Sequence, residues 1–412
     1  MITIVKILNS KISKKISIDN IIFFFSSILL FICVFDPAGL LFGIKDKLFV
    51  LIVLLFISNI FIKKRIAINV NLFVYIFVFS VVLPLISLVT YFVFQKSHGV
   101  TIDTGILKTF LFLLFGFIVF SFKKDVLKIF VTWLCILSIL IIAVYIVIRV
   151  FPNSTNSFFL FGNKYLIFTI AIKYLAGFSV VRVYFWTSPL ILIAISYCFY
   201  FYRKTSKKRY LVLTVVNLLG LLLSGSRANF VASIFIIPII YYYYSTPIKK
   251  IYLMFVLLVI IVITGLIKYH VIYEMFFNPL DESNKVKILM VSDYINIYRS
   301  NIPTFLFGQG VGSEFYIPSR HMTLTFSELT YFELFRRFGF VLGSIYLYLM
   351  IYPIRFLKRD NQGWLYLSYL LYLVIAFFNP FYFSSTGILF LSIVLATHYK
   401  YSNESKIDNY IS

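Results

Sequence analysis

Apolar stretches long enough to cross a bilayer recur along the whole chain, separated by short clusters of charge, and this pattern leaves few folds open. Such stretches lie near Ile21–Phe35, Leu48–Ile62, Val70–Phe94, Ile106–Phe122 and Val126–Val150. They continue near Trp186–Tyr202, Tyr210–Leu223, Ala228–Tyr244 and Ile251–Ile267, and then near Phe340–Leu357, Trp364–Phe378 and Ser384–His398. The first could pass for a signal peptide. It runs into Asp36-Pro37-Ala38 without a small-x-small cleavage pattern, so it reads as an anchor.

Composition points the same way. Of 412 residues, 61% are hydrophobic and 13% are charged, whereas a soluble globular protein carries about 25% charged residues. A soluble fold could not cover so much apolar surface. A bilayer removes that difficulty, because lipid is the solvent for most of the side chains. The expected fold is all-α: a polytopic helical membrane protein, a single membrane domain over residues 1–412 with about twelve spans.

Basic residues give the expected orientation. With the N-terminus inside, the cytoplasmic segments hold Lys6, Lys11, Lys14 and Lys15, then Lys63-Lys64-Arg65, then Lys123, Lys124 and Lys128. Arg203, Lys204, Lys207, Lys208 and Arg209 follow, then Lys249-Lys250, then Arg355, Lys358 and Arg359, and finally Lys400 and Lys406. Every cytoplasmic gap is short and basic, as the positive-inside rule requires, so both termini are expected inside. The net charge of +23 therefore records topology and not nucleic-acid binding.

Cys33, Cys135 and Cys198 all fall in apolar stretches and read as small apolar residues without a disulfide framework. His98, His270, His321 and His398 follow no metal-ligand spacing, and there is no Asp-x-Asp. A nucleotide-sugar enzyme holding a divalent metal through paired carboxylates is not expected, nor is any other cofactor.

Two outer loops break the pattern of short connections: 151–185 and 268–338, the latter roughly seventy residues long. Tyr165, Phe168, Ile172 and Leu175 stand at near-helical spacing, which predicts helices on the membrane surface or folded back on the bundle. Most of the 15 acidic residues lie on this side, including Asp36, Asp46, Asp103, Glu274, Asp281, Glu282, Asp293, Glu314, Glu328 and Glu333. The long loop also carries Arg299, Arg320, Arg336 and Arg337. Arginine suits phosphate, because its planar fork donates two parallel hydrogen bonds. Pairing with nearby carboxylates is the alternative, and Glu333 with Arg337, four apart on a predicted helix, fits that alternative. Ser224-Gly225-Ser226-Arg227 joins two apolar stretches at the outer face. The turn accounts for the small residues but not for an arginine so near hydrocarbon, which points to function or to snorkelling toward lipid phosphate.

Leu-Leu-Leu-Ser-Gly-Ser-Arg-Ala-Asn at 221–229 resembles the Ser/Thr-Gly-Ser-Arg motif of the bacterial O-antigen ligase and polymerase superfamily. Phe307-Gly308-Gln309-Gly310-Val311-Gly312-Ser313 resembles its Phe-Gly-x-Gly-x-Gly stretch, and Glu328 to Gly339 resembles the segment that closes its large periplasmic loop. The Gly-x-Gly-x-Gly run follows no strand, so it does not read as a dinucleotide fingerprint. The order of the motifs, the span count and the late loop agree with that superfamily along nearly the whole chain.

The ligase branch carries histidine where this chain has Glu328, and His321 comes seven residues too early to fill that slot. The resemblance therefore favours the polymerase branch. It implies a multi-pass protein of the bacterial inner membrane that acts on undecaprenyl-diphosphate-linked glycans, with membrane lipid and a chain-length regulator protein as partners. It further implies inverting transfer of the growing glycan onto a sugar hydroxyl of the incoming unit. Arg182, Arg227 and Arg299, with Arg320, are the residues expected to meet the diphosphate. Glu328 is the expected general base, or else a capping or ion-pairing carboxylate. His321 is the reserve candidate, sharing a face with Glu328 if 321–328 is helical. Tyr294, Tyr298 and Tyr316 are candidates for stacking on sugar. An O-antigen ligase acting on lipid A–core and a lipid-linked oligosaccharide flippase remain the alternatives, the latter without the matching halves common in transporters.

Overall fold

The computed structural model describes residues 17–63, 69–95, 107–121, 125–175, 178–256, 259, 273, 282–318, 321–324, 327, 329–358, 362–377 and 383–411. The first helices are α1 (Ile18–Phe35), α2 (Lys45–Lys63), α3 (Val70–Val93), α4 (Leu107–Ser121) and α5 (Val126–Val150). Polar caps start three of them: Ser17 before α1, Asn69 before α3 and Asp125 before α5 each accept an amide N–H from the first turn. In α3 a π turn at Val78–Val82 stands just before Pro84, whose ring would meet the Ser80 carbonyl in a straight α-helix.

α6 (Thr155–Lys164) then leads into an antiparallel hairpin, β1 (Phe168–Leu175) with β2 (Phe178–Phe185), in the register Phe168↔Phe185 to Leu175↔Phe178. Helices resume with α7 (Ile191–Thr205), α8 (Lys208–Leu223) and α9 (Arg227–Tyr243). The large loop contributes α10 (Glu282–Arg299), α11 (Ile302–Phe307) and a short hairpin, β3 (Phe315–Ile317) with β4 (Met322–Leu324). The chain closes with α12 (Thr330–Ile351), α13 (Gly363–Ala376) and α14 (Ser385–Ile411).

Every apolar stretch named above lies wholly or mostly on a helix, except that near Ile251–Ile267, which falls largely outside the described residues. Among the described residues, four helices are long and apolar enough to cross a membrane: Ile18–Phe35, Val70–Val93, Val126–Val150 and Thr330–Phe356. The all-α expectation needs correction at the two hairpins. Residues 168–185 form strands, not the surface helix that Tyr165, Phe168, Ile172 and Leu175 suggested. Both segments are rich in β-branched and aromatic residues, and Phe168 and Ile170 on β1 and Val181, Val183 and Phe185 on β2 bury one face of the hairpin, with Tyr184 buried on the other.

Burial sorts the helices into inner and outer. Ile191–Cys198 of α7 and Thr386–Ala396 of α14 are buried on every face, as helices at the centre of a bundle must be. By contrast α2 exposes Val50, Leu51, Leu54, Ile57 and Phe61, and α5 exposes Ile136, Ile139, Leu140 and Ile146. Contiguous apolar faces of this extent are covered by lipid or by a partner. Cys33, Cys135 and Cys198 are buried and free.

Side-chain bonds tie the helices at both ends. At one end Thr187 Oγ1 donates to the Val34 carbonyl (2.8 Å), Thr386 Oγ1 to the Cys33 carbonyl (3.0 Å) and Lys45 Nζ to Ser385 Oγ (2.9 Å). At the other, Asn59 Nδ2 donates to Asp19 Oδ1 (2.7 Å), the Trp364 amide donates to Tyr244 Oη (3.0 Å), and Tyr366 Oη meets His398 Nδ1 (2.9 Å). The first end carries the β1–β2 hairpin, the Ser224–Arg227 turn and the large loop.

Candidate functional site

The Ser224–Arg227 turn is built to hold its arginine against two other elements. Ser224 ends α8, Gly225 takes a left-handed φ of 64°, and Arg227 is the first residue of α9. A Cβ at Gly225 would lie 2.7 Å from Arg182 Cγ and 2.8 Å from Arg182 Cβ, so glycine is required there by both φ and the close approach. The stem of Arg182, on β2, therefore rests on the turn two residues before Arg227. Arg182 and Tyr184, two apart, share one face of the strand, and the guanidinium carbon lies 4.5 Å from the Tyr184 ring centroid. Arg227 Nη1 donates to Asn284 Oδ1 at 2.5 Å, linking the turn to the first turns of α10. Beneath, the buried Asn229 amide donates to Ser188 Oγ (3.0 Å) and Ser224 Oγ (2.9 Å), locking the turn to the segment that opens α7.

A second constellation surrounds Glu333, which is fully buried together with Arg336 and Arg337. Arg336 grips the carboxylate with two bonds, Nε to Oε2 (3.0 Å) and Nη2 to Oε1 (2.6 Å), and Arg337 Nε donates to Oε1 (2.5 Å). Tyr294 Oη donates to Oε2 at 2.7 Å. Four donors fill the acceptor sites of one carboxylate, so Glu333 is a structural anchor and not a proton acceptor. Arg336 Nη1 continues the network to Gln309 Oε1 (3.0 Å) and Ser313 Oγ (2.7 Å). The pairing of Glu333 with Arg337 foreseen from their spacing is present; Arg336 and Tyr294 were not foreseen in it.

The Phe-Gly-x-Gly-x-Gly stretch serves this anchor. α12 breaks at Gly339 (φ 66°), which frees the carbonyls of Arg336 and Arg337. The amides of Gln309 (2.6 Å) and Gly310 (3.1 Å) cap those carbonyls, and Ser87 Oγ of α3 also donates to Arg337 (2.8 Å). The Val311 amide in turn donates to Ser87 Oγ (2.9 Å). Gly308 and Gly339 pack so closely that a Cβ on either would sit about 2.4–2.5 Å from the other's amide nitrogen. Amides spent on helix carbonyls are not available to cradle a phosphate. The glycine run docks the loop onto the bundle.

The remaining candidates separate. Arg299 is exposed at the far end of α10, about 22 Å along the helix from Asn284 at 1.5 Å per residue, so it does not join Arg182 and Arg227. Arg320 and Glu328 lie outside the described residues. His321 is exposed, with φ of 51°, and Met322–Leu324 after it form a strand, so 321–328 is not one helix. Tyr294 is buried in the anchor, and burial, helped by the Glu333 charge, pushes its phenol far up. Tyr298 donates to the Phe332 carbonyl (2.5 Å), while Tyr316 is 56% exposed and remains open to a ligand. Missed altogether were Ser87, Tyr184, Asn229 and Asn284, whose roles depend on partners distant in the chain; only a buried-polar signal in an apolar run marks Ser87 and Asn229.

No family model matches the chain, and neither do curated proteins or solved structures.

Proposed function

We propose that this chain is a lipid-linked oligosaccharide glycosyltransferase that polymerises undecaprenyl-diphosphate-linked repeat units at the periplasmic face of the bacterial inner membrane. The reading rests on the motif resemblance, and one observation carries it further: Arg182 and Arg227 come from separate segments to one turn at the loop-bearing end of the bundle. Two guanidiniums at the edge of an apolar bundle suit a lipid diphosphate, whose charge stays at the membrane surface while its tail remains in hydrocarbon.

In the reaction, the acceptor hydroxyl oxygen attacks the anomeric carbon of the growing glycan. The bond from that carbon to the diphosphate oxygen breaks, its electron pair leaves with the lipid diphosphate, and the configuration inverts. Arg182 and Arg227 stabilise the negative charge that grows on the leaving group. Glu328 takes the hydroxyl proton. The chain crosses the membrane about twelve times with both termini in the cytoplasm, and a chain-length regulator protein is its expected partner.

Two experiments test this. Reporter fusions after Lys208 and Lys250 should score cytoplasmic, and fusions near Asn156 and Glu282 periplasmic. A cytoplasmic score for the 268–338 segment would end the enzyme reading, since its substrates are presented outside. In a deletion strain, single repeat units should accumulate on lipid A–core. Long polymer left on the lipid carrier would indicate a ligase instead, and units trapped on the cytoplasmic face a flippase. For the base, Glu328→Gln should leave substrate binding intact and lower turnover by roughly 10²–10⁴. Near-normal turnover in a well-folded Gln variant would remove Glu328 from the mechanism.

A further inference from the structure

The two arginines of the turn are each held by an uncharged side chain, and one of those side chains belongs to the large loop. Arg182 lies against the Tyr184 ring, and Arg227 is hydrogen-bonded to Asn284, 57 positions along the chain. An amide oxygen orients a guanidinium through one N–H. A carboxylate at the same position would form an ion pair and compete with an incoming anion.

Asn284 is not on a loose tether. It opens α10, whose Met290 and Tyr294 are fully buried against Phe315, Ile317 and Leu329, and whose Tyr294 is bonded to Glu333. Ten residues of helix, about 15 Å, separate Asn284 from Tyr294, so the anchor at Glu333 fixes where the Asn284 amide stands. We propose that Asn284 is a positioning residue, turning the Arg227 fork toward the lipid diphosphate, so that the site is complete only while α10 is docked on the bundle. This rests on the diphosphate reading above. It adds that the loop helix, and not the turn alone, sets the strength of diphosphate binding.

The test uses the purified full chain in lipid nanodiscs, with inorganic pyrophosphate as the probe and polymer formation followed in parallel. Asn284→Ala should weaken pyrophosphate binding by about tenfold, the effect of one lost hydrogen bond to a charged group, and raise the KM for the lipid-linked unit by the same factor. Asn284→Asp keeps an acceptor for Arg227, so a tether that is merely structural would survive it with its melting temperature intact. It should nonetheless weaken pyrophosphate binding at least as much as alanine does, because the carboxylate occupies the guanidinium. Wild-type pyrophosphate affinity in both Asn284 variants, with binding lost in Arg227→Ala, would overturn the positioning role and leave the diphosphate site standing. An active wild-type protein that does not bind pyrophosphate would remove the diphosphate site, and the positioning role with it.

Discussion

Arg227→Ala should abolish polymer at normal expression, and Arg227→Lys should restore only part of it. A guanidinium fork can grip two diphosphate oxygens at once, whereas a lysine ammonium offers a point charge without that geometry. Removing one preorganised donor from a water-poor site costs about 2.7–4 kcal/mol of transition-state stabilisation, about 10²–10³ in rate. Arg227 is half-buried at the start of α9, so its contribution to folding is measured alongside activity. The measurement is polymer length in cells, normalised to folded protein from a detergent extract. Wild-type length from the alanine variant would reassign Arg227 to lipid anchoring.

Glu333→Gln should have the largest effect on stability and a small effect on turnover per folded molecule. The carboxylate holds two arginines whose side chains, like its own, are no more than 1% exposed. Taking away one member of a buried ion pair costs about 3–5 kcal/mol, because the charge left behind has lost both its water and its partner. Tyr294 would also lose its charged acceptor, so the loop helix α10 should loosen along with α12. Thermal inactivation in detergent should shift down sharply and α10 should become protease-sensitive. A stable Glu333→Gln protein with lost turnover would instead place Glu333 in the chemistry, against the saturation of its four acceptor sites.

The helical bundle was legible because lipid makes hydrophobic length and basic flanks sufficient signals. The hairpin at 168–185 was not. Tyr165, Phe168, Ile172 and Leu175 fit a helical period, while Phe168, Ile170, Val181, Val183 and Phe185 fit a strand period. The contacts that favour the strands, the Phe168–Phe185 ring pair and the seat of Arg182 on Gly225, are tertiary. The i,i+4 spacing of Glu333 and Arg337 announced their pairing, but the Tyr294 bond that completes the anchor spans 39 positions. The glycine run was legible only in part. Its pattern carries φ > 0 and close approach, and both hold at Gly308, yet the partner is the backbone of Gly339 and not a ligand. Arg299 looked equivalent to Arg227 in the sequence. The length of α10 sets it far from the turn.

The central claim is that this protein joins lipid-linked glycans, with arginines and a carboxylate carrying the reaction. Its most direct test supplies the purified chain in nanodiscs with one defined undecaprenyl-diphosphate-linked repeat unit and analyses the products on their lipid. The account predicts a ladder of glycan on lipid diphosphate, one undecaprenyl diphosphate released for each unit added, inverted configuration at each new linkage, and the same ladder in EDTA. Folded protein that forms no ladder, and instead moves the intact unit across the bilayer or transfers glycan only when lipid A–core is added, would contradict it.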